Sequence, residues 1–337
     1  MLEHGGRLRD AARNSRIPLG EWVDLSTGIN PRGWPVPPLP PEVWQRLPES
    51  DDGLEAAAAA YYGNQRLLAL PGSQAALQTL PQLFPPAAIA CLSPIYAEHP
   101  AAWQGAGHKL RQLPAGNLQR ALAAATPRIL LCNPNNPTAH LLSREAVLEA
   151  AAQLGRRGGW LFVDEAFIDA TPEHSVADQA GSEAYPNLVV LRSLGKFFGL
   201  AGARVGFLFG QEGLLQALAA KLGPWPVSHP ARWVATRALE DRDWQARARQ
   251  ELAAASTRLA TLLAPVAQET PPAVCPLFVT LALANPKPLF NFLKERGILV
   301  RLFAEARLLR FGLPGSPAQW EKLEAALAAW SKRCDTP

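Results

Sequence analysis

Six short apolar runs punctuate the middle of this chain, at residues 67–70, 87–92, 129–132, 160–163, 188–191 and 205–209, and residues 109–113, KLRQL, read as a further strand. Helix-length segments stand between several of them. Pro71-Gly72 ends the first run, and Ser73 is placed to cap a helix through residue 84. Ser143 opens another helix to about residue 156, with Glu145 in its first turn, where a carboxylate complements the helix dipole. Strands that are apolar throughout are buried on both faces, and strands alternating with helices cross over in parallel. The expected fold class is α/β, a large domain with a mostly parallel sheet flanked by helices.

The pattern changes after Pro230. One Ala-, Leu- and Arg-rich helical stretch runs to about residue 265. Strands at 277–283, 298–303 and 308–311 frame a helix over 288–296, and a last helix covers 317–332. This reads as a smaller α+β domain. Residues 31–48, PRGWPVPPLPPEVWQRLP, hold too many prolines for a helix or a central strand. The expected division is 1–48 as an N-terminal arm and connector packing with the small domain, 49–228 as the large domain and 229–337 as the small one.

With 337 residues, 48% of them hydrophobic and 18% charged, the chain can bury a substantial core and is not disordered. The net charge of +4 comes from scattered arginines without a dense basic block, which argues against a nucleic-acid partner. No run reaches the ~20 apolar residues of a membrane span, and the N-terminus lacks an apolar signal segment. The expectation is a cytoplasmic protein away from membranes. Cys91, Cys132, Cys275 and Cys334 lie far apart with no metal-ligand spacing, so free thiols and no metal site are expected.

Parallel sheets bind ligands at the carboxyl ends of their strands, and four polar stretches stand at such ends. Ser193-Leu194-Gly195-Lys196 follows one apolar run and leads into a glycine-rich segment through Arg204; Ser193 and Arg204 can both reach a phosphate. Asp164 ends another run, where a carboxylate can keep a ring nitrogen protonated. Asn136 ends the rigid turn Asn133-Pro134-Asn135-Asn136-Pro137. Pro71-Gly72-Ser73-Gln74 opens a helix whose first N–H groups suit an anion. Taken singly, each is equally a surface lysine, a turn or a helix start.

Together, in this order and spacing, these stretches resemble the fold-type I pyridoxal-phosphate (PLP) enzymes of the aspartate aminotransferase superfamily, over most of the chain. The resemblance implies PLP as cofactor, carried by Lys196 as a Schiff base. It implies that Asp164 partners the pyridine nitrogen, Asn136 bonds the 3'-oxygen and Tyr96, in SPIYAEH, stacks on the ring. Ser193, Arg204 and the amides of Ser73 and Gln74 would hold the cofactor phosphate. Arg310, in LLRFGLP, resembles the arginine that clamps a substrate α-carboxylate. Relatives are homodimers, which implies the same here.

His4-Gly5-Gly6, then DLSTGINP at 24–31, then DEAFID at 164–169, resemble the threonine-phosphate decarboxylases of cobalamin biosynthesis, close relatives of histidinol-phosphate aminotransferases. That resemblance implies decarboxylation of a small phosphorylated amino acid, L-threonine O-3-phosphate. Arg301 would bind its phosphate, with His4 and Gly28 as further substrate contacts. Two positions depart from the aminotransferase pattern: Phe167 stands where a tyrosine is usual, and Ala139 where NPTG has glycine. An aminotransferase acting on histidinol phosphate and a non-catalytic PLP-binding protein remain as alternative readings.

Overall fold

The computed structural model describes residues 4–124, 126–267 and 269–334. The chain divides into two units. The larger holds residues 33–136 and 140–247; the smaller holds the described residues up to 32, 137–139 and those from 248 onward. The first strand, β1 (Val23–Asp24), belongs to the smaller unit.

Seven strands form the sheet of the larger unit: β2 (Leu67–Leu70), β3 (Ala88–Ser93), β4 (Lys109–Pro114), β5 (Arg128–Cys132), β6 (Trp160–Asp164), β7 (Leu188–Ser193) and β8 (Gly206–Phe209). Each expected apolar run is one of these strands. Their order is β2-β8-β7-β6-β5-β3-β4, and β8 alone runs antiparallel to its neighbours. β5, β7 and β8 are buried at every residue, as a sheet covered on both faces requires. Leu130, Phe162, Val189 and Leu208 share one core with Leu77 and Trp103 from the helices. Each such fully buried side chain contributes roughly 1.5–3 kcal/mol. From β3 the chain passes to β4 on one side and then to β5 on the other. That reversal opens a crevice at the carboxyl ends of β3 and β5.

Several expected elements differ from what forms. The helix expected over 73–84 is α-helical only at Ser73–Thr79 and becomes a 3-10 turn at Leu80–Leu83, because Pro81 has no N–H to continue it. Ser73 is the first helical residue rather than the cap. Gly72, at φ +78°, takes the cap position. The link from β6 to β7 holds three 3-10 turns, Ile168–Ala170, Pro172–His174 and Ala177–Gln179, and no α-helix. The long stretch after Pro230 is two helices, His229–Glu240 and Arg242–Leu263. Asp241 separates them: its Oδ1 accepts the N–H of Trp244 at 3.0 Å and its Oδ2 accepts Trp34 Nε1–H at 3.0 Å.

In the smaller unit, β9 (Ala273–Cys275), β10 (Phe278–Ala282), β11 (Ile298–Leu299), β12 (Arg301–Phe303) and β13 (Leu308–Gly312) follow in sequence. An antiparallel sheet runs β12-β13-β10-β9, while β1 pairs with β11 in parallel. The single strand expected over 298–303 is therefore split at Val300, its halves serving two sheets. Among the described residues no helix is long and apolar enough to cross a membrane.

Arg192, fully buried on β7, donates from Nη1 to Glu165 Oε2 at 2.9 Å and from Nη2 to Asp169 Oδ1. Both carboxylates are fully buried. Ser175 Oγ–H and Val176 N–H also bond Glu165, at 2.6 and 2.8 Å, and Tyr61 O–H bonds Asp169 at 3.0 Å. Burial opposes the charge of Arg192, yet Asp169 and Glu165 hold its pKa raised. Replacing Arg192 with leucine strands two buried carboxylates. The unfolding free energy is expected to fall by about 3–5 kcal/mol in a denaturant titration. A change under ~1 kcal/mol would show that the network does not stabilise the fold.

Candidate active site

Asp164 ends β6 opposite Cys132, the last residue of β5, and in register with Leu191 on β7. Its Oδ2 lies 2.7 Å from His99 Nε2, and its Oδ1 accepts the N–H of Ala166 at 3.0 Å. The Cys132 thiol donates to the same Oδ2 from 3.9 Å. Burial raises this carboxyl, but the hydrogen bond and charge of His99, the Ala166 amide and the charge of Lys196 outweigh it. Asp164 is held below its ordinary 3.8. The end of β6 therefore carries a buried carboxylate that stays ionised.

His99, Cys132 and Asp164 bring three potential metal-ligating atoms within 4.8 Å of one another. Burial first, and the Asp164 charge second, push the Cys132 thiol well above its ordinary range. The sulfur thus keeps its proton, and the trio acts as a hydrogen-bonded shell for Asp164. His99 carries no signal of this role in the sequence beyond standing three residues after Tyr96. Its partner is 65 residues away.

Lys196 stands half-buried after β7, its Nζ 5.4 Å from the centroid of the Phe167 ring. Ser193 Oγ accepts the N–H of Gly195 at 3.2 Å. The guanidinium of Arg204 covers Gly72: a Cβ on that glycine would lie 2.5 Å from Arg204 Nη2. A Cβ on Gly206 would lie 2.5 Å from the amide nitrogen of Ser73. Main chain and guanidinium thus form a cradle that a side chain would fill. Tyr96 O–H donates to Gln74 Oε1 at 3.4 Å, and Gln74 Nε2 donates to Glu98 Oε2 at 3.2 Å. Burial, with the charges of Glu98 and Asp164, pushes the Tyr96 hydroxyl up to about 12, so it stays protonated. Asn136 is half-buried. It follows a turn fixed by Asn133, which accepts Leu142 N–H at 2.8 Å and donates to Leu142 O at 3.1 Å.

This geometry fits PLP on three counts. The cradle at Gly72, Ser73 and Arg204 suits a phosphate. The ionised Asp164 suits a protonated pyridine. The Lys196 amine, following the neighbouring strand, suits an aldehyde.

The smaller unit carries the other four residues singled out in the sequence. Arg301 and Arg310 face each other across β12 and β13, a pairing that like charges disfavour. Their guanidinium carbons lie 5.3 and 5.8 Å from the centroid of the Phe303 ring, and that of Arg310 lies 5.1 Å from Phe278. Arg310 Nη2 donates to Ser26 O at 2.8 Å. Burial first, and the charge of Arg301 second, pull Arg310 down to about 10. An anion brought to this pair would relieve both effects. Gly28 is buried two residues beyond Ser26, and His4 is half-buried beside Gly5, which packs on Ser26.

Residues 42–327 match the family model for aminotransferase class I and II. The chain is 50% identical over 333 residues to a threonine-phosphate decarboxylase of Pseudomonas aeruginosa, covering 98% of this chain and 99% of that one. It is 40% identical over 250 residues to a threonine-phosphate decarboxylase of a Sinorhizobium species, 73% of each chain. Its fold matches the crystal structure of histidinol-phosphate aminotransferase from Sinorhizobium meliloti in complex with pyridoxal-5'-phosphate. The TM-score is 0.84 over 99% of this chain and 96% of that one, at 21% identity.

A lowered folded pKa makes the Asp164 carboxylate a stabilising group above its unfolded value of about 3.8, with that contribution lost as pH falls through the folded value. Cofactor-free protein and its Asp164→Asn variant are therefore expected to differ most in stability above pH ~4 and to converge below it. A difference that widens on acidification would show that the carboxylate is not held ionised.

Proposed function

The chain belongs to the aminotransferase class I and II family, and on that premise we propose that it decarboxylates L-threonine O-3-phosphate with PLP as cofactor. The products are CO2 and (R)-1-amino-2-propanol O-2-phosphate, the linker of the nucleotide loop in cobalamin biosynthesis. The observation that carries this reading is the facing pair Arg301 and Arg310. Two juxtaposed guanidiniums call for a substrate with two anionic groups, and a phosphorylated amino acid has a carboxylate and a phosphate. The full-length likeness to the P. aeruginosa decarboxylase supports the same substrate.

Bound PLP supplies an electron sink for the pair left at Cα when a bond there breaks. Asp164 would hold the proton on the ring nitrogen. Asn136 would bond the 3'-oxygen and Tyr96 would pack on the ring. Ser193, Arg204 and the amides of Ser73 and Gln74 would hold the cofactor phosphate. Lys196 would carry the cofactor, and its Nζ would return a proton to Cα. Phe167 gives Lys196 a hydrocarbon neighbour where a tyrosine would add a hydroxyl. Arg310 takes the α-carboxylate by bidentate pairing and Arg301 takes the substrate phosphate. Gly28 and His4 add contacts from the N-terminal arm. The net change exchanges CO2 for a proton at Cα and needs no second substrate. Homodimerisation and a cytoplasmic location complete the proposal. The buried free thiols of Cys91, Cys132 and Cys275 favour a reducing compartment.

The test is release of labelled CO2 from carboxyl-labelled L-threonine O-3-phosphate by the PLP-loaded protein without a keto acid. Catalytic release is expected. No release, with turnover of histidinol phosphate once 2-oxoglutarate is added, would make the protein an aminotransferase instead. Lys196→Ala is expected to abolish both CO2 release and covalent retention of cofactor. Arg301→Ala is expected to raise KM by about tenfold or more, the scale of a lost hydrogen bond to a charged group. An unchanged KM removes Arg301 from the phosphate site.

A further inference from the structure

Arg310 is held from behind by the N-terminal arm. Its Nη2 donates to the carbonyl oxygen of Ser26 at 2.8 Å. Gly5 packs on that same oxygen: a Cβ on Gly5 would lie 2.3 Å from Ser26 O and 2.9 Å from Ser26 C. These are main-chain atoms that cannot swing aside, so position 5 requires glycine for close approach. Further bonds pin the arm here. Gly6 N–H donates to Ser26 Oγ at 2.8 Å, and Ser26 Oγ–H donates to Asp24 Oδ1 at 2.6 Å. Ser26 N–H reaches the same Asp24 oxygen at 2.9 Å. From the strand side, Gly312 N–H donates to Leu25 O at 2.7 Å, and a Cβ on Gly312 would lie 2.2 Å from Thr27 O. The Ser26 peptide is therefore gripped by the arm and by the strand that carries Arg310.

We propose that Gly5 and Ser26 are positioning residues for Arg310. The arm clamps the Ser26 carbonyl, and that carbonyl sets the plane of the guanidinium offered to the substrate carboxylate. The inference rests on the reading that Arg310 binds that carboxylate. A guanidinium is planar, so fixing one Nη fixes the direction of the remaining donors, and bidentate pairing depends on that direction. By reciprocity, a substrate that engages Arg310 tightens the arm.

The experiment measures kcat and KM for CO2 release, melting temperature and cofactor affinity in the loaded enzyme. The variants are Gly5→Ala, Ser26→Ala, Ser26→Thr, Arg310→Lys and the double variant Gly5→Ala with Arg310→Lys. Gly5→Ala is expected to raise KM about tenfold with cofactor affinity unchanged. It is expected to add little once Arg310 is lysine, because the two act through one contact. Ser26→Ala should move KM in the same direction, and Ser26→Thr, which keeps the hydroxyl, should restore it. Effects of Gly5→Ala and Arg310→Lys that multiply independently would overturn the proposal. So would a Gly5→Ala variant with unchanged KM. If Gly5→Ala does not fold, the Ser26 pair decides alone. An unchanged KM in Arg310→Lys would instead remove Arg310 from the carboxylate site. The positioning contact would then be judged by hydrogen exchange at the Gly6 amide, which Arg310→Lys should accelerate and which no acceleration would refute.

Discussion

One guanidinium, taken out of water and shared between two carboxylates, fixes the geometry of the larger unit. Arg192 lies on β7 four residues before Lys196, and Glu165 directly follows Asp164. Strand register alone sets Asp164 opposite Leu191. The ion network then dictates how the chain leaves both strands, because Glu165 and Asp169 must each turn back to reach Arg192. Such a group tolerates little error. A buried pair with good geometry roughly offsets its own desolvation, whereas a broken one costs several kcal/mol. The segment 165–187 forms short turns for the same reason: Ser175 and Val176 must fold back onto Glu165.

The electrostatics of the two units are complementary in kind. In the larger unit a carboxylate is kept ionised by a histidine, an amide and a lysine. In the smaller unit two arginines face each other, and burial with mutual repulsion disfavours the charge on Arg310. The first arrangement suits a cation. The second is relieved by anions.

Much of the fold was legible in the sequence, because strands buried on both faces must be apolar throughout, and each such run is a strand. The helix after Gly72 was legible in its start and not in its end, since Pro81 stops the α-helical ladder. The break at Asp241 depends on bonds to Trp244 and to Trp34, the latter 207 residues away, which local pattern does not reveal. The placing of Asp164, Lys196 and Asn136 at or just past strand ends was legible because strand ends are where polar residues interrupt apolar runs. His99 was not, since only the fold brings it to Asp164. The opposition of Arg301 and Arg310 was equally hidden, because it follows from the register of β12 on β13 and the split at Val300.

The grip of His99 and Ala166 on Asp164 has an entropic side. Both carboxylate oxygens are committed to protein donors, and the side chain is buried. Its rotamer is therefore chosen when the chain folds and not when a ligand arrives. Ordering a side chain costs about 0.5–1.5 kcal/mol whenever it happens. Here that cost falls on folding, where a large cooperative core absorbs it, and a cation brought to the carboxylate would not bear it.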